Sequence, residues 1–379
     1  MNTKKSKIPA WIAVACVAIG QHVGPGVGGG ASLVAFFAKF GVLSFITPFI
    51  SFAIVTFVVY FVTEYSRRNQ ISGYADFAAS FYRPYGKVFR VLFDIIFLMG
   101  FLVAGGNCLA GFGSLYNQFL GINNWVAIAM CIVLVILLCM FGAALLRLAS
   151  SVMMFAMVGM LVLVAILSFA FGNHDFAAAT AASVATIDGA FLGTAIKQGV
   201  IYGCTQSAVA LSLLSVSDTL SDTKEVKKMC GALFVGNVGV ILLQMFTMFG
   251  YTTSMDITKE TLPVYTIIAN LGRGFGWLKY IYVLLISFAI LSSVTAVTFA
   301  AITRFGRYVK IPNPKVRDAL IAIVGLACLI AISSFGLLAL AAKGNAICGW
   351  AQIPVLVIPP LVLGVYRLRQ CKEEKTDVK

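Results

Sequence analysis

Apolar runs long enough to cross a bilayer follow one another along the whole chain, separated only by short polar or basic segments. About 20 consecutive apolar residues in a helix span the hydrocarbon, and runs of that length recurring at short intervals are the signature of transmembrane helices. Composition agrees: 60% of the 379 residues are hydrophobic and only 11% are charged, too little polar surface for a soluble protein of this size. The reading is an all-α polytopic membrane protein. No polar stretch is long enough for a separate soluble domain, so residues 1–379 are expected to form one transmembrane domain with short cytoplasmic tails.

Ten spans are expected, at roughly 8–38, 42–63, 87–118, 124–143, 148–171, 189–216, 229–252, 276–305, 317–335 and 346–368. The first, third, sixth and eighth exceed the necessary length and must tilt, project or break. The net charge of +14 is a topology signal and does not point to nucleic acid, because the basic residues sit in short loops between apolar runs. With the amino terminus inside, the cytoplasmic segments hold 22 of the 28 Lys and Arg, so both termini are expected in the cytoplasm of a cell, with the chain in its plasma membrane. Lys4, Lys5 and Lys7 lead into an apolar run with no clear small-residue cleavage site, which reads as a span and not as a signal peptide. Residues 261–272 fall outside, where a short surface helix opened by Pro263 is expected over the entrance.

Several function classes drop out. There is no P-loop, no HExxH and no Ser/His/Asp set, and the two histidines are far apart. Nine cysteines are scattered without a CxxC pair or metal-ligand spacing. An enzyme, a cofactor and a resident metal are therefore not expected. No ring of repeated polar residues suggests a channel.

Residues Gly20 to Gly30 read GQHVGPGVGGG. Glycine costs a helix interior about 1 kcal/mol and proline about 3, and Pro25 also removes a backbone donor and clashes with the preceding turn. A continuous first helix is not expected. Unwound backbone at membrane depth is tolerated where it lines a cavity or holds a ligand. One half then offers free N–H groups to an anion such as a carboxylate, and the other offers free C=O groups to a cation. Close helix packing through small residues is the alternative use of such glycines. The sixth span carries a weaker interruption, with Gly199, Tyr202, Gly203, Cys204, Thr205, Gln206 and Ser207 inside an apolar run. Two halves of five spans, about 8–171 and 189–368, then each open with an interrupted helix and insert in opposite orientations.

This layout resembles the amino acid–polyamine–organocation superfamily with its LeuT-type 5+5 fold. Gly20-Gln21-His22-Val23-Gly24-Pro25-Gly26 is similar to the GN-x-x-G-x-G break of that fold's first helix. Phe36-Phe37 and Gly41 after the glycine run, the Tyr202-centred interruption and Phe335-Gly336 before the last span resemble the YkvI-type bacterial membrane proteins. The resemblance implies secondary transport of an amino acid or related small organic solute by alternating access, coupled to Na⁺ or H⁺. It places the substrate between the two breaks, against the third and eighth helices. A carboxylate would meet backbone donors around Gly24, Gly26 and Gly28, and the other groups would face Tyr202, Gly203, Thr205 and Gln206. A Na⁺ site would use carbonyls of Gly20 and Val23 with the hydroxyls of Ser292 and Ser293. The same superfamily also contains ligand-sensing receptors that work with a partner subunit, which is the alternative function.

Single residues leave alternatives open. His22 is a candidate proton carrier because its unperturbed pKa lies near 6.5, or else a neutral histidine bonded to a carbonyl. Tyr202 and Gln206, four apart, share a helix face for substrate or for interhelical bonding. Ser292 and Ser293 equally suit hydrogen bonds to their own backbone. Lys197 lies roughly 12 Å inside the outer end of its span, as a substrate-carboxylate partner, a stand-in for a coupling cation or a lysine in a wet vestibule. Asn107, in GGNCLAG, suits substrate contact or packing. Asp94, four residues after Arg90, is expected in an interfacial ion pair. His174 and Asp175 are expected to be solvated in an external loop.

Overall fold

The computed structural model describes residues 9–23, 25–141, 143–306 and 308–373, and these are helical with no strand among them. Among the described residues, seven helical segments are individually long and apolar enough to cross a membrane: 47–69, 86–120, 189–219, 223–249, 278–305, 314–333 and 337–371. Three further spans complete the ten. The first is interrupted, as helices Ala10–His22, Pro25–Gly28 and Ala31–Phe36. The fourth is Asn124–Phe141 and the fifth Ala143–Phe171. The two halves of five spans form a LeuT-type inverted repeat with the first and sixth helices broken.

The breaks differ in kind. In the first, Gly30 has φ +89°, a left-handed conformation that costs glycine nothing and side-chain residues roughly 1–2 kcal/mol. In the sixth, the helix stays regular through Gln206, and the interruption falls at Ser207 and Ala208, just beyond the polar segment. Both residues keep right-handed helical backbone angles, so the sixth helix changes its hydrogen-bond pattern without turning aside.

A buried apolar cluster runs from Val14 to Cys371, while large apolar side chains such as Phe57, Ile95, Ile166, Leu284 and Val362 stand exposed on the outer faces, as a lipid solvent allows. The second span lies inside the bundle against the sixth, seventh and tenth. Its contact with the sixth depends on glycine: a Cβ at Gly203 would stand 2.5 Å from the Ser51 carbonyl oxygen, and Ser51 Oγ donates to the Gly199 carbonyl at 2.7 Å.

Two outer elements follow the last turns of spans five and seven. After the fifth span the chain bends by 100° into the short helix Phe176–Val184, whose N-terminus is capped by Asp175 accepting from the Ala178 N–H at 2.8 Å. His174 is half-buried in the outer loop: its ring stacks on Phe169 and its Nε2 lies 2.7 Å from the Phe169 carbonyl oxygen, while Asp175 is exposed. The expected surface helix is present as Pro263–Ala269, with Pro263, Val264, Tyr265, Ile267 and Ile268 buried.

The tenth span begins nine residues earlier than expected, at Leu337, directly after the turn at Gly336 with φ +81°. Lys343 and Asn345 hide that start from a hydropathy reading. Span ten also holds two π-helical turns, Leu340–Gly344 and Ile353–Val357. The second contains Pro354, which has no N–H to give, and Tyr82 donates its hydroxyl to the Val355 carbonyl at 2.8 Å. Asp94 does not pair with Arg90. Its partner is Arg304 of span eight, a buried guanidinium that also lies over the Tyr74 ring. Arg90 is exposed, whereas a buried cation requires a counter-charge.

Candidate functional site

Backbone polar groups inside a membrane must be paired, so the first break is best followed by asking where its hydrogen bonds go. The helix Ala10–His22 ends with the Val23 N–H donating to the Ile19 carbonyl at 2.9 Å, and the Gly30 N–H donates to Val27 at 3.1 Å. Two carbonyls in the break are taken by side chains of other spans. Gln244 of span seven donates Nε2 to Val27 O at 3.1 Å, and Tyr282 of span eight donates its hydroxyl to Gly28 O at 2.9 Å. The glycines bring neighbours close. A Cβ at Gly26 would meet Ser32 Oγ at 2.5 Å with Asn107 Nδ2 at 3.9 Å, and one at Gly28 would meet the Met157 methyl at 2.5 Å. A Cβ at Gly30 would meet Pro263 Cγ at 2.6 Å, so the outer surface helix rests on the break itself.

The sixth span meets the first at Tyr202. His22 Nε2 lies 2.7 Å from the Tyr202 hydroxyl, with both residues buried. Gln206 follows Tyr202 by one turn on the same helix and is half-buried. Aromatic rings enclose the pair: Phe52 lies 4.8 Å from the His22 ring centroid, and Phe37 and Phe36 lie 4.8 and 5.1 Å from that of Tyr202. A hydrogen bond enclosed in this way is electrostatically stronger than one in water. Asn107, from span three, is buried beside Gly26 with its Oδ1 lacking a hydrogen-bond partner.

The structure therefore brings together Gly26, Gly28, His22, Tyr202, Gln206 and Asn107. Gly24 lies outside the described residues. Gly203 faces Ser51 of span two, and Thr205 donates to the Asn345 carbonyl of span ten at 2.7 Å, so these two join helices. Lys197 is exposed on the opposite side of the sixth helix, 5.8 Å from the ring centroid of the exposed Trp350. Gly20 lies in the last turn of the first helix and Val23 caps it. Ser292 donates to the Ala289 carbonyl of its own helix at 3.1 Å, and Ser293 follows it half-buried.

Sequence reasoning missed Ser32, Asn237, Gln244 and Tyr282. Two of them left a signal. Asn237 and Gln244 are seven apart in an otherwise apolar span, which puts both on one helix face, and polar side chains on one face at membrane depth point inward. Tyr282 left none, since tyrosines near span ends are common.

No protein-family model matches the chain, and no curated protein matches it in sequence. Solved structures do. One is the substrate-bound outward-open state of a Na⁺-coupled sialic acid symporter with a novel Na⁺ site, at 14% identity and a TM-score of 0.63, covering 93% of this chain and 79% of that one. Another is MhsT in complex with L-phenylalanine, at 13% identity and a TM-score of 0.59, covering 97% and 98%. Likeness at this identity is a likeness of fold.

Proposed function

We propose that the protein is a secondary active transporter of an amino acid or related small organic solute, driven by a Na⁺ or proton gradient and working by alternating access. The observation that carries this reading is the His22–Tyr202 hydrogen bond, which ties the break of the first helix to the polar segment of the sixth at the repeat interface. Interrupted helices facing each other across a repeat interface are where transporters of this architecture bind solute and ion. Two solved structures of similar fold are described with a sialic acid symporter and with bound L-phenylalanine, and both solutes carry a carboxylate. In this reading a carboxylate meets backbone donors around Gly26 and Gly28, with Gly24 between the helix ends. Asn107, Tyr202 and Gln206 face the remaining groups. Gly20 and Val23 with Ser292 and Ser293 are the candidate Na⁺ ligands, and His22 is the candidate proton carrier. The chain acts as one transmembrane domain, placed with both termini in the cytoplasm of a bacterial cell, in the YkvI-type branch of the amino acid–polyamine–organocation superfamily.

The test is uptake into proteoliposomes, with labelled amino acids and organic acids offered under a Na⁺ gradient, a pH gradient or neither. Gradient-dependent accumulation of one solute is expected. A broad screen giving neither binding nor flux refutes the reading. Binding without flux turns it toward a ligand sensor that signals through a partner subunit.

A further inference from the structure

Span seven, Thr223–Phe249, packs along the first helix. The approach is closest at Gly236, where a Cβ would stand 2.5 Å from Ile19 Cδ1. The next residue, Asn237, is 2% exposed, and on the facing helix His22, 7% exposed, follows Ile19 by three residues, one turn on. The Asn237 amide is oriented by its own helix, because Nδ2 donates to the Leu233 carbonyl at 3.0 Å. That leaves Oδ1 as the free end, and Oδ1 can only accept. Oδ1 of Asn237 and Nδ1 of His22 are both buried without a hydrogen-bond partner. Buried polar atoms are rarely left so, and two neighbouring orphans from different helices are matched if one is a donor.

A neutral imidazole carries one proton, and the bond made at one nitrogen fixes the role of the other. We infer that Asn237 is the positioning residue for His22: its Oδ1 accepts from Nδ1–H, which leaves Nε2 unprotonated and makes it the acceptor for the Tyr202 hydroxyl 2.7 Å away. The order across three spans is then fixed. Tyr202 donates to His22, and His22 donates to Asn237. Tyr202 has only one hydroxyl proton, so its oxygen can offer lone pairs alone to any third group. The Tyr202 oxygen thereby selects a hydrogen-bond donor, such as the ammonium of an amino acid or the amide of Gln206, and disfavours a second acceptor. Among the described residues, the His22 ring meets the Tyr202 hydroxyl and the Phe52 ring, and neither carries a charge.

The assignment of a solute group to Tyr202 rests on the transport reading, but the tautomer does not, and it is measured separately. The chain has two histidines, His22 and His174, so His174→Gln leaves one ring to observe. The full-length protein, labelled with ¹³C,¹⁵N-histidine and reconstituted in lipid, is examined by solid-state NMR, which separates the tautomers by their ring chemical shifts. The expected spectrum is the Nδ1–H tautomer in the His174→Gln protein. Asn237→Leu is expected to lose it in favour of Nε2–H or a mixture, and Asn237→Asp, which keeps an acceptor, is expected to keep Nδ1 protonated. An Nε2–H or doubly protonated His22 with Asn237 intact overturns the assignment, as does an unchanged spectrum in Asn237→Leu. If Asn237→Leu does not fold, the His174→Gln spectrum decides alone. Absent uptake with the expected tautomer counts against transport and not against Asn237.

Discussion

Adding one methyl group at Gly203 tests how tightly the second and sixth spans are held. The Cβ of Gly203→Ala would stand 2.5 Å from Ser51 O, 2.9 Å from Ser51 Cα and 3.0 Å from Ser51 C. All three are backbone atoms of another helix and cannot rotate away. Carbon contacts prefer about 3.5–4.0 Å, so the helices must separate locally by roughly 1 Å, and the 2.7 Å bond from Ser51 to Gly199 stretches with them. Overpacking of this kind costs about 1–3 kcal/mol, and rigid backbone on both sides puts Gly203 at the upper end. Alanine returns about 1 kcal/mol of helix propensity, leaving a net loss of about 2 kcal/mol. Gly193 lies in the same helix with nothing within 4 Å of its Cβ position, so Gly193→Ala should keep the propensity gain alone. The two variants should then differ by about 3 kcal/mol. Thermal inactivation in detergent at one fixed heating rate, read as the loss of the monodisperse peak, is a suitable assay because unfolding of such proteins is commonly irreversible. Gly203→Ala should inactivate several degrees below Gly193→Ala. Equal midpoints, or a more stable Gly203→Ala, refute the claim that this glycine sets the helix spacing.

The other predictions concern the breaks and the charges. Tyr282→Phe strands the buried Gly28 carbonyl and should cost about 1–3 kcal/mol in the same thermal assay; Gln244→Leu at Val27 should behave alike. Tyr202→Phe removes the bond to His22 and should reduce uptake by at least about 10-fold, the loss of roughly 1.4 kcal/mol from one buried hydrogen bond. Lys197→Met should leave uptake within about 2-fold of the unmodified protein, since Lys197 faces Trp350 away from the breaks and surface changes are worth within about 0.5 kcal/mol. Asp94→Asn removes a carboxylate paired with the buried Arg304 and should cost about 3–5 kcal/mol, seen as low yield of folded protein, while an unaffected yield would mean the pair is dispensable.

How much of this was legible follows from what each signal measures. Hydropathy counts length, so the expected span ends fall within about six residues of the observed ones, apart from the start of span ten. The first break was legible because Pro25 and the glycine run leave a helix no local alternative. Its carbonyl partners were not, because Gln244 and Tyr282 reach it only through the approach of spans seven and eight. Lys197 shows a reading that the sequence itself could have refined. At about 100° per residue, five positions put it roughly 140° around the helix from Tyr202, so both cannot face the same break. Gly203 and Thr205 lie beside Tyr202 in sequence, yet they join the sixth helix to spans two and ten. The sequence offers Asp94 its neighbour along the helix, whereas the structure pairs it with a buried arginine 210 residues away in sequence.

The π-helical turns of span ten set a phase. Each adds a residue relative to an α-helical turn, so whatever follows is rotated by about 100° from where an unbroken α-helix would carry it. Gly349 follows the first of them, and a Cβ there would stand 2.6 Å from both the Ile201 carbonyl oxygen and Thr205 Oγ1. That side of span ten faces the sixth helix because one surplus residue precedes it. Deleting a single residue within Leu340–Gly344 would let the segment close into an ordinary α-helix and keep Gly349 on the sixth helix, whereas the full set of residues wound without the surplus turn would carry Gly349 about 100° away and bring a bulkier side chain round in its place. For this span, the number of residues is as much a determinant of the contact as their identity.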